Sequence, residues 1–321
     1  MSDSFRPGAA PSAVDPVESD EMLEVWSRAT KRQTAFAPLI DIIRIIIRDR
    51  YALVSTCIVG LFLLMALFAG VIAPYDPQET FNAPDGRLLD LERPSAEHWL
   101  GTTAYSKDVF SQVVIGSRVA FIVGISAAIA VGLISTTLGM ISGYYGRRID
   151  DVIMRLTDFA LSIPTLPIAI VAVAILGPSL RNIILVIVLL FWRNGTRIVR
   201  SVVLTEKEKL YVQAARSAGA SNVYIMMRHI LPNVIPVAVL WMTMSIAFAI
   251  LAEASLSFLG LGDPNTVTWG QMLNLAFTTG AMRTAWWWVV PPSLCLVMMI
   301  SSIYMVGRAI EEKTNPRLRK A

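Results

Sequence analysis

Charged residues are scarce in this chain. Asp, Glu, Lys and Arg make up 16% of its 321 residues, whereas hydrophobic residues make up 55%. Soluble domains carry roughly a quarter of charged residues. The deficit is concentrated in several long apolar runs and excludes an ordinary soluble domain, so composition predicts an integral membrane protein.

Cysteine and histidine are almost absent, with two residues of each. Cys57 and Cys295 lie inside apolar runs, and His98 and His229 are far apart. No spacing fits a metal site, and no Ser/His/Asp or Cys/His set is available for nucleophilic catalysis. We therefore expect no metal and no catalytic residues in this chain.

A phosphate-binding motif and a continuous basic stripe are also missing. No G-x-x-x-x-G-K-[ST] phosphate loop occurs, so the chain is not expected to bind ATP itself. The net charge of +4 comes from basic residues that flank apolar runs instead of forming one stripe, which argues against nucleic acid as a partner. Membrane lipid is the expected surrounding.

The N-terminal part precedes the first apolar run. Residues 1–34 are polar and predict a disordered cytoplasmic tail. In residues 35–50, Asp41, Arg44 and Arg48 share one helical stripe among isoleucines, which predicts a helix lying in the membrane interface. The alternative is that this stretch simply begins the first span.

Residues 51–308 predict a domain of six transmembrane helices, followed by a cytoplasmic tail, 309–321. The fourth span is short and is expected to extend towards Val203, and Pro164 and Pro167 are expected to kink the third. The spans are placed near Tyr51–Ala73, Arg118–Ser142, Asp158–Leu176, Asn182–Trp192, Val234–Ser255 and Trp286–Val306.

The distribution of Lys and Arg predicts the orientation. With the N-terminus inside, the inner segments carry 22 of these residues and the outer segments carry 5. Both termini are therefore expected in the cytoplasm, and residues 74–117 form an outer loop. Trp286, Trp287 and Trp288 are expected in an interfacial aromatic belt, with seating of an external receptor as the alternative.

The longest inner connection, 201–233, contains "YVQAARSAGASNVYIMMRHILPN". Tyr211 to Ala218 favours a helix, and Gly219 is placed to end it in the left-handed conformation. Ser221 can cap a second helix that runs to about Ile230. The alanines offer a face with little bulk, which suits either docking of another protein or packing on the chain's own helices.

This segment resembles the "EAA" loop of permease subunits in ATP-binding-cassette (ABC) importers. "QAARSAG" followed by "ASNVYIMMRHILP" matches that pattern, with Gln213 where Glu is usual. The stretches "LFAGVIAPYDPQ", "HWLGTT", "ISGYYGRRIDDVIMRLTDFALSIP", "EASLSFLGLG" and "TWGQML" resemble one subfamily, the second permease subunit of dipeptide, oligopeptide and nickel importers.

The resemblance implies an all-α, six-helix type I permease fold in a prokaryotic cytoplasmic membrane. It also implies a homologous second permease, two ATPase subunits that bind ATP and Mg²⁺, and an extracytoplasmic substrate-binding protein. The residues implied in coupling to the ATPases are Gln213, Ala214, Ala215, Arg216, Ser217, Gly219, Ala220 and Ser221.

Glu253, Met242 and Ser245 are candidates for the translocation path, because polar and adaptable groups within a span are potential contacts for a solute. For Glu253 the alternative is capping of the "SLSFLGLG" stretch, and Asp158 is expected to pair with Arg155 or another base. The resemblance implies import of di- or oligopeptides, with oligosaccharides or nickel as alternatives. A self-contained secondary transporter and a membrane-bound enzyme are alternatives from other classes.

Overall fold

A computed structural model describes residues 49–314 of the chain, with side chains through Glu311. The predicted tail 1–34, the interfacial helix 35–50 apart from its last two residues, and residues 315–321 lie outside that range and stay predictions.

The described residues form a helical bundle. Two π-helical turns span Met226–Ile230 and Ser257–Leu261, and a 3₁₀ turn spans Ala281–Arg283. The α-helices are α1 (Arg50–Leu67), α2 (Ala69–Ile72), α3 (Val109–Tyr145), α4 (Arg147–Ser162), α5 (Thr165–Leu176), α6 (Leu180–Glu206), α7 (Leu210–Ser217), α8 (Asn222–Ile225), α9 (Leu231–Leu256), α10 (Trp269–Thr278) and α11 (Trp286–Thr314).

Five helical stretches of the described chain are long and apolar enough to cross a membrane. A sixth span is formed if α4 and α5, which are bent by 89° at a short break, are counted as one. The all-α fold predicted from hydropathy is thereby confirmed.

The third predicted span is broken instead of merely kinked. Ile163 is extended, and Pro164 follows it with a fixed φ and no backbone N–H, so the helical hydrogen bonds stop there. Pro167 lies in the first turn of α5, where no N–H is needed. The expectation that Pro167 also kinks the span was therefore wrong.

Other boundaries shift for local reasons. Helix α3 begins at Val109, nine residues before the predicted Arg118, because the Asp108 carboxylate accepts a hydrogen bond from the Ser111 N–H at 2.7 Å. Helix α6 continues through Glu206, as the extension towards Val203 anticipated. The second helix of the 201–233 connection does not end near Ile230, since the π-helical turn joins α8 to α9 without a break.

Close approach of helices depends on glycines of α3. A Cβ on Gly139 would lie 2.7 Å from Val199 Cβ of α6, and one on Gly132 would lie 2.3 Å from Met242 Cγ of α9. Small residues at such contacts let helix backbones approach closely within a membrane. Helix α3 is therefore the central element onto which α6 and α9 pack.

The tryptophans that start α11 are mostly inside the protein. Trp286 is exposed, but Trp287 is 5% exposed and Trp288 is fully buried. The Trp287 indole N–H donates to the Thr102 carbonyl at 3.3 Å. The expected interfacial belt of three tryptophans is thus wrong for two of them, because the outer loop packs on the Trp287 ring and Trp288 lies in the hydrophobic core.

Candidate functional site

The strongest candidate site is the segment that links α6 to α9, residues 207–230, which we call the connecting segment. It contains α7, a turn at Ala218–Ala220, α8 and the first π-helical turn. The predicted arrangement of helix, turn and helix is confirmed in this geometry.

Gly219 ends α7 in the left-handed conformation, with φ at +83°. The Ala220 N–H donates to the Ala215 carbonyl at 3.1 Å, and the Gly219 N–H donates to the Arg216 carbonyl at 3.0 Å. This pair of bonds is the Schellman motif, which satisfies carbonyls at the end of a helix. A residue with a Cβ would adopt this φ only at a cost.

Ser221 begins the second helix. Its side chain accepts a hydrogen bond from the Tyr224 N–H at 3.3 Å, as an N-cap residue does. The glycine stop and the serine start lie two residues apart, so the direction of the chain between α7 and α8 is fixed locally.

One side of the connecting segment is buried. Val212, Ile225 and Ile230 are each fully buried and pack with Tyr144 of α3 and Val203 of α6 in one apolar cluster. At about 25 cal/mol per Å² of buried apolar surface, three such side chains stabilise the contact by several kcal/mol. The segment therefore moves with the ends of α3 and α6.

Polar contacts fasten the start of α7 to the end of α6. The Tyr211 hydroxyl donates to Glu206 Oε2 at 2.6 Å, Lys209 Nζ pairs with Glu206 Oε1 at 2.5 Å, and Asn233 Nδ2 donates to the Tyr211 hydroxyl at 3.2 Å. Burial and the bond to the Glu206 carboxylate raise the pKa of Tyr211 to about 12. Tyr211 is therefore a neutral donor at physiological pH.

A second group of contacts links the turn to α3. The Tyr144 hydroxyl donates to Asn222 Oδ1 at 2.9 Å, and the Arg216 guanidinium lies 5.8 Å from the centre of the Tyr144 ring. Gln213 Nε2 donates to the Glu208 carbonyl at 3.0 Å. Arg216 and Gln213 thus already have internal contacts.

The other side of the connecting segment is exposed and partly apolar. Leu210 is 82% exposed, Val223 62%, Met227 57% and Tyr224 53%. Gln213, Ala214, Arg216, Ser217, Gly219 and Ser221 are also exposed, whereas Ala215 and Ala220 are half-buried against the apolar cluster. Sequence reasoning singled out the alanines and missed the four large apolar side chains, whose exposure follows from the pitch of two short helices.

The three residues predicted for the translocation path have internal contacts. Glu253 is 3% exposed and accepts from the Ser257 hydroxyl at 2.6 Å, and Ser245, 2% exposed, donates to the Trp241 carbonyl at 2.9 Å. Met242 packs on Gly132 of α3. The contact of Glu253 with Ser257 fits the capping alternative, and a role of these three residues in the path stays a prediction.

An apolar cavity of about 230 Å³ lies instead between α9 and α11. Its lining includes Met244, Phe248, Leu251 and Tyr304. Phe248, Leu251 and Tyr304 were missed because an apolar residue within a span gives the same pattern whether it faces lipid, protein or a cavity.

Charged groups on α4 pair with α6. Arg200 donates to both carboxylate oxygens of Asp150 at 2.5 Å, and Asp158 pairs with Arg197, in agreement with the expected pairing with Arg155 or another base. Such pairs hold α4 beside α6 at the end of the bundle that carries the connecting segment.

Comparison with known proteins identifies the family to which the chain belongs. Residues 135–320, which include the connecting segment, match the family described as binding-protein-dependent transport system inner membrane component. Residues 37–90 match the N-terminal TM domain of oligopeptide transport permease C. The chain belongs to this family of inner-membrane transport components. It is a permease subunit of an ABC importer, and it has the type I permease fold.

Relatives of the permease are similar over most of their length. It is 34% identical to a dipeptide transport system permease protein of Alkalihalophilus pseudofirmus, over 89% of this chain and 92% of the relative. It is 36% identical to a di/tripeptide transport system permease protein of Pseudomonas aeruginosa (81% and 86%) and 34% identical to a glutathione transport system permease protein of Pectobacterium atrosepticum (85% and 89%). The permease is therefore a multi-pass inner-membrane protein that works within a larger transport system.

Proposed function

We propose that this permease forms half of the translocation path of a short-peptide importer and is coupled to ATPase subunits through residues 213–222. The observation that carries the proposal is the two-sided connecting segment. One side of the segment is buried against α3 and α6. The other side exposes Leu210, Val223, Tyr224 and Met227, which flank residues 213–222.

The coupling argument is mechanical. An exposed apolar surface of this kind suits a groove on another protein. Because Val212, Ile225 and Ile230 are buried against α3 and α6, a displacement of the exposed side of the segment moves the ends of two spans. Two ATPases that bind ATP and Mg²⁺ supply the force, and a homologous second permease completes the path.

Peptides are the proposed substrates, and an external substrate-binding protein delivers them. The dipeptide, di/tripeptide and glutathione systems named for the relatives support this choice. The orientation follows the positive-inside rule, with both termini and the connecting segment in the cytoplasm.

The test uses the reconstituted transporter in proteoliposomes. The permease should co-purify with a second permease and two ATPases, and should take up a labelled dipeptide only with ATP inside and the binding protein outside. Scrambling residues 213–222 should abolish uptake while the helical content is retained. Uptake by this chain alone, without ATP, would refute the proposal.

A further inference from the structure

At the end of α3 opposite to the connecting segment, the outer loop and α10–α11 enclose a second cavity of about 360 Å³. The cavity is within the size range of small-molecule sites. Its walls come from the 74–108 loop, the first turn of α3, the 261–269 loop, α10 and the start of α11. It is separate from the apolar cavity between α9 and α11.

The polar lining of this outer cavity consists of donors and amides. The polar residues that line it are Lys107, Gln78, Gln112, Gln271, Tyr105 and Thr103, and no carboxylate of residues 49–311 does so. Lys107 Nζ donates to Gln78 Oε1 at 2.7 Å, and it forms no ion pair within residues 49–311. The cavity therefore carries a net positive charge with hydrogen atoms of the ammonium group to spare.

The indole N–H of Trp288 is a second notable group at this cavity. The residue is fully buried and lines the cavity, yet its indole N–H has no acceptor among the described residues. A buried donor without an acceptor costs about 1–3 kcal/mol. The neighbouring Trp287 and Trp269 both donate to backbone carbonyls. Among the described residues, the indole N–H of Trp241 and Nε of Arg193 also lack an acceptor, but neither residue lines this cavity.

The remaining lining is apolar. Val267 and Met272 are buried, and Leu275 lies beside them with the Trp288 ring. A ligand that fits must offer an anionic oxygen to Lys107 and an apolar group to this floor. The last residue of a short peptide, with its free carboxylate and an apolar side chain, has this combination.

We propose that the outer cavity binds the C-terminal carboxylate and the last apolar side chain of a short peptide. Lys107 provides the charge-assisted hydrogen bond, and the buried donor of Trp288 belongs to the same site. The choice of a peptide rests on the proposed function, whereas the recognition of a carboxylate rests on the lining alone.

The experiment measures binding of glycyl-leucine to the assembled transporter in nanodiscs, with no external binding protein, by saturation-transfer difference NMR. We expect saturable binding that is about tenfold or more weaker for glycyl-leucinamide and for the Lys107→Met variant. Lys107→Arg should bind nearly as the parent does. Arg93→Met is the matched control, because Arg93 is an exposed cation of the same loop outside the cavity.

Trp288→Phe removes the indole N–H and keeps an aromatic ring, and it should also weaken binding of glycyl-leucine relative to the parent. Co-purification of the partner subunits checks that each variant is assembled. Equal binding in the parent, Lys107→Met and Trp288→Phe proteins would overturn the proposal, as would equal binding of the peptide and its amide.

Two outcomes separate this inference from the proposed function. If glycyl-leucine does not bind but ATP-driven uptake is normal, the inference fails and the function stands. If Lys107→Met leaves peptide binding intact but weakens docking of the external binding protein, the carboxylate belongs to that protein, and the peptide site is refuted.

Discussion

Replacing Gly219 by Val should uncouple ATP hydrolysis from peptide uptake. Gly219 has φ at +83°, and a Cβ built there would meet no atom within 4 Å. The cost is therefore conformational and not steric. For a residue other than glycine the left-handed conformation costs about 1–2 kcal/mol, and a β-branched residue lies at the upper end.

A cost of about 2 kcal/mol lowers the population of the native turn about 30-fold relative to alternative turns. The loss falls on the Schellman bonds from Gly219 and Ala220, which fix the direction between α7 and α8. The buried side chains of the segment are unchanged, so the bundle should fold. We expect uptake per ATP hydrolysed to fall several-fold in proteoliposomes.

Gly86 offers a matched control. It has φ at +81°, again with nothing within 4 Å of a built Cβ, but it lies in the outer loop. Gly86→Val carries the same backbone cost and should leave coupling unchanged. Gly219→Asn should keep most of the coupling, because Asn tolerates the left-handed region. Normal coupling in Gly219→Val would refute the reasoning that this turn transmits force.

Four further changes test other parts of the molecule. Ile225→Ala removes a fully buried side chain, costs about 2–5 kcal/mol and should speed proteolysis of the connecting segment; unchanged proteolysis would contradict its anchoring role. Leu210→Glu, at a position 82% exposed, should leave the melting temperature unchanged but reduce co-purification of the ATPases, and full co-purification would count against this docking surface. Gly139→Leu should lower the melting temperature, since its Cβ would lie 2.7 Å from a side chain of α6, whereas Gly60→Ala, with open space, should not. Tyr211→Phe should weaken coupling equally between about pH 6 and 9. The pKa of the phenol is raised to about 12, so its stabilising contribution is complete below its ordinary pKa of about 10 and is lost only as pH rises towards 12. An effect of the substitution that changes between about pH 6 and 9 would contradict this assignment.

Several features of the candidate site could be predicted from the residues alone. Gly219 acts through its backbone conformation, and Ser221 acts through the hydrogen bond that caps the second helix. Both roles therefore depend on neighbours within five residues. The break at Pro164 is similarly local, because the missing N–H and the restricted preceding residue belong to the chain itself.

Contacts between distant segments were harder to predict. Asp158 was expected to pair with Arg155 or another base, and the sequence did not identify which one. The structure pairs it with Arg197, which α6 brings to it from 39 residues away. Met242 lies in an internal contact for the same reason, since it packs on Gly132 of α3. Glu253 and Ser245 instead form hydrogen bonds with residues four positions away along the chain. The burial of Trp287 depends on a loop that precedes it by about 180 residues.

The sequence by itself determined that the chain crosses a membrane, where most of its spans lie and where the connecting segment turns. These properties follow from hydropathy and from local backbone preferences, which each short stretch carries on its own. The tertiary structure alone decided which apolar side chains line cavities, which charges pair, and that Trp288 has a donor without an acceptor. The physical reason is that hydropathy measures transfer out of water and is the same for lipid and for protein interior, so only the packing of helices against one another distinguishes the two.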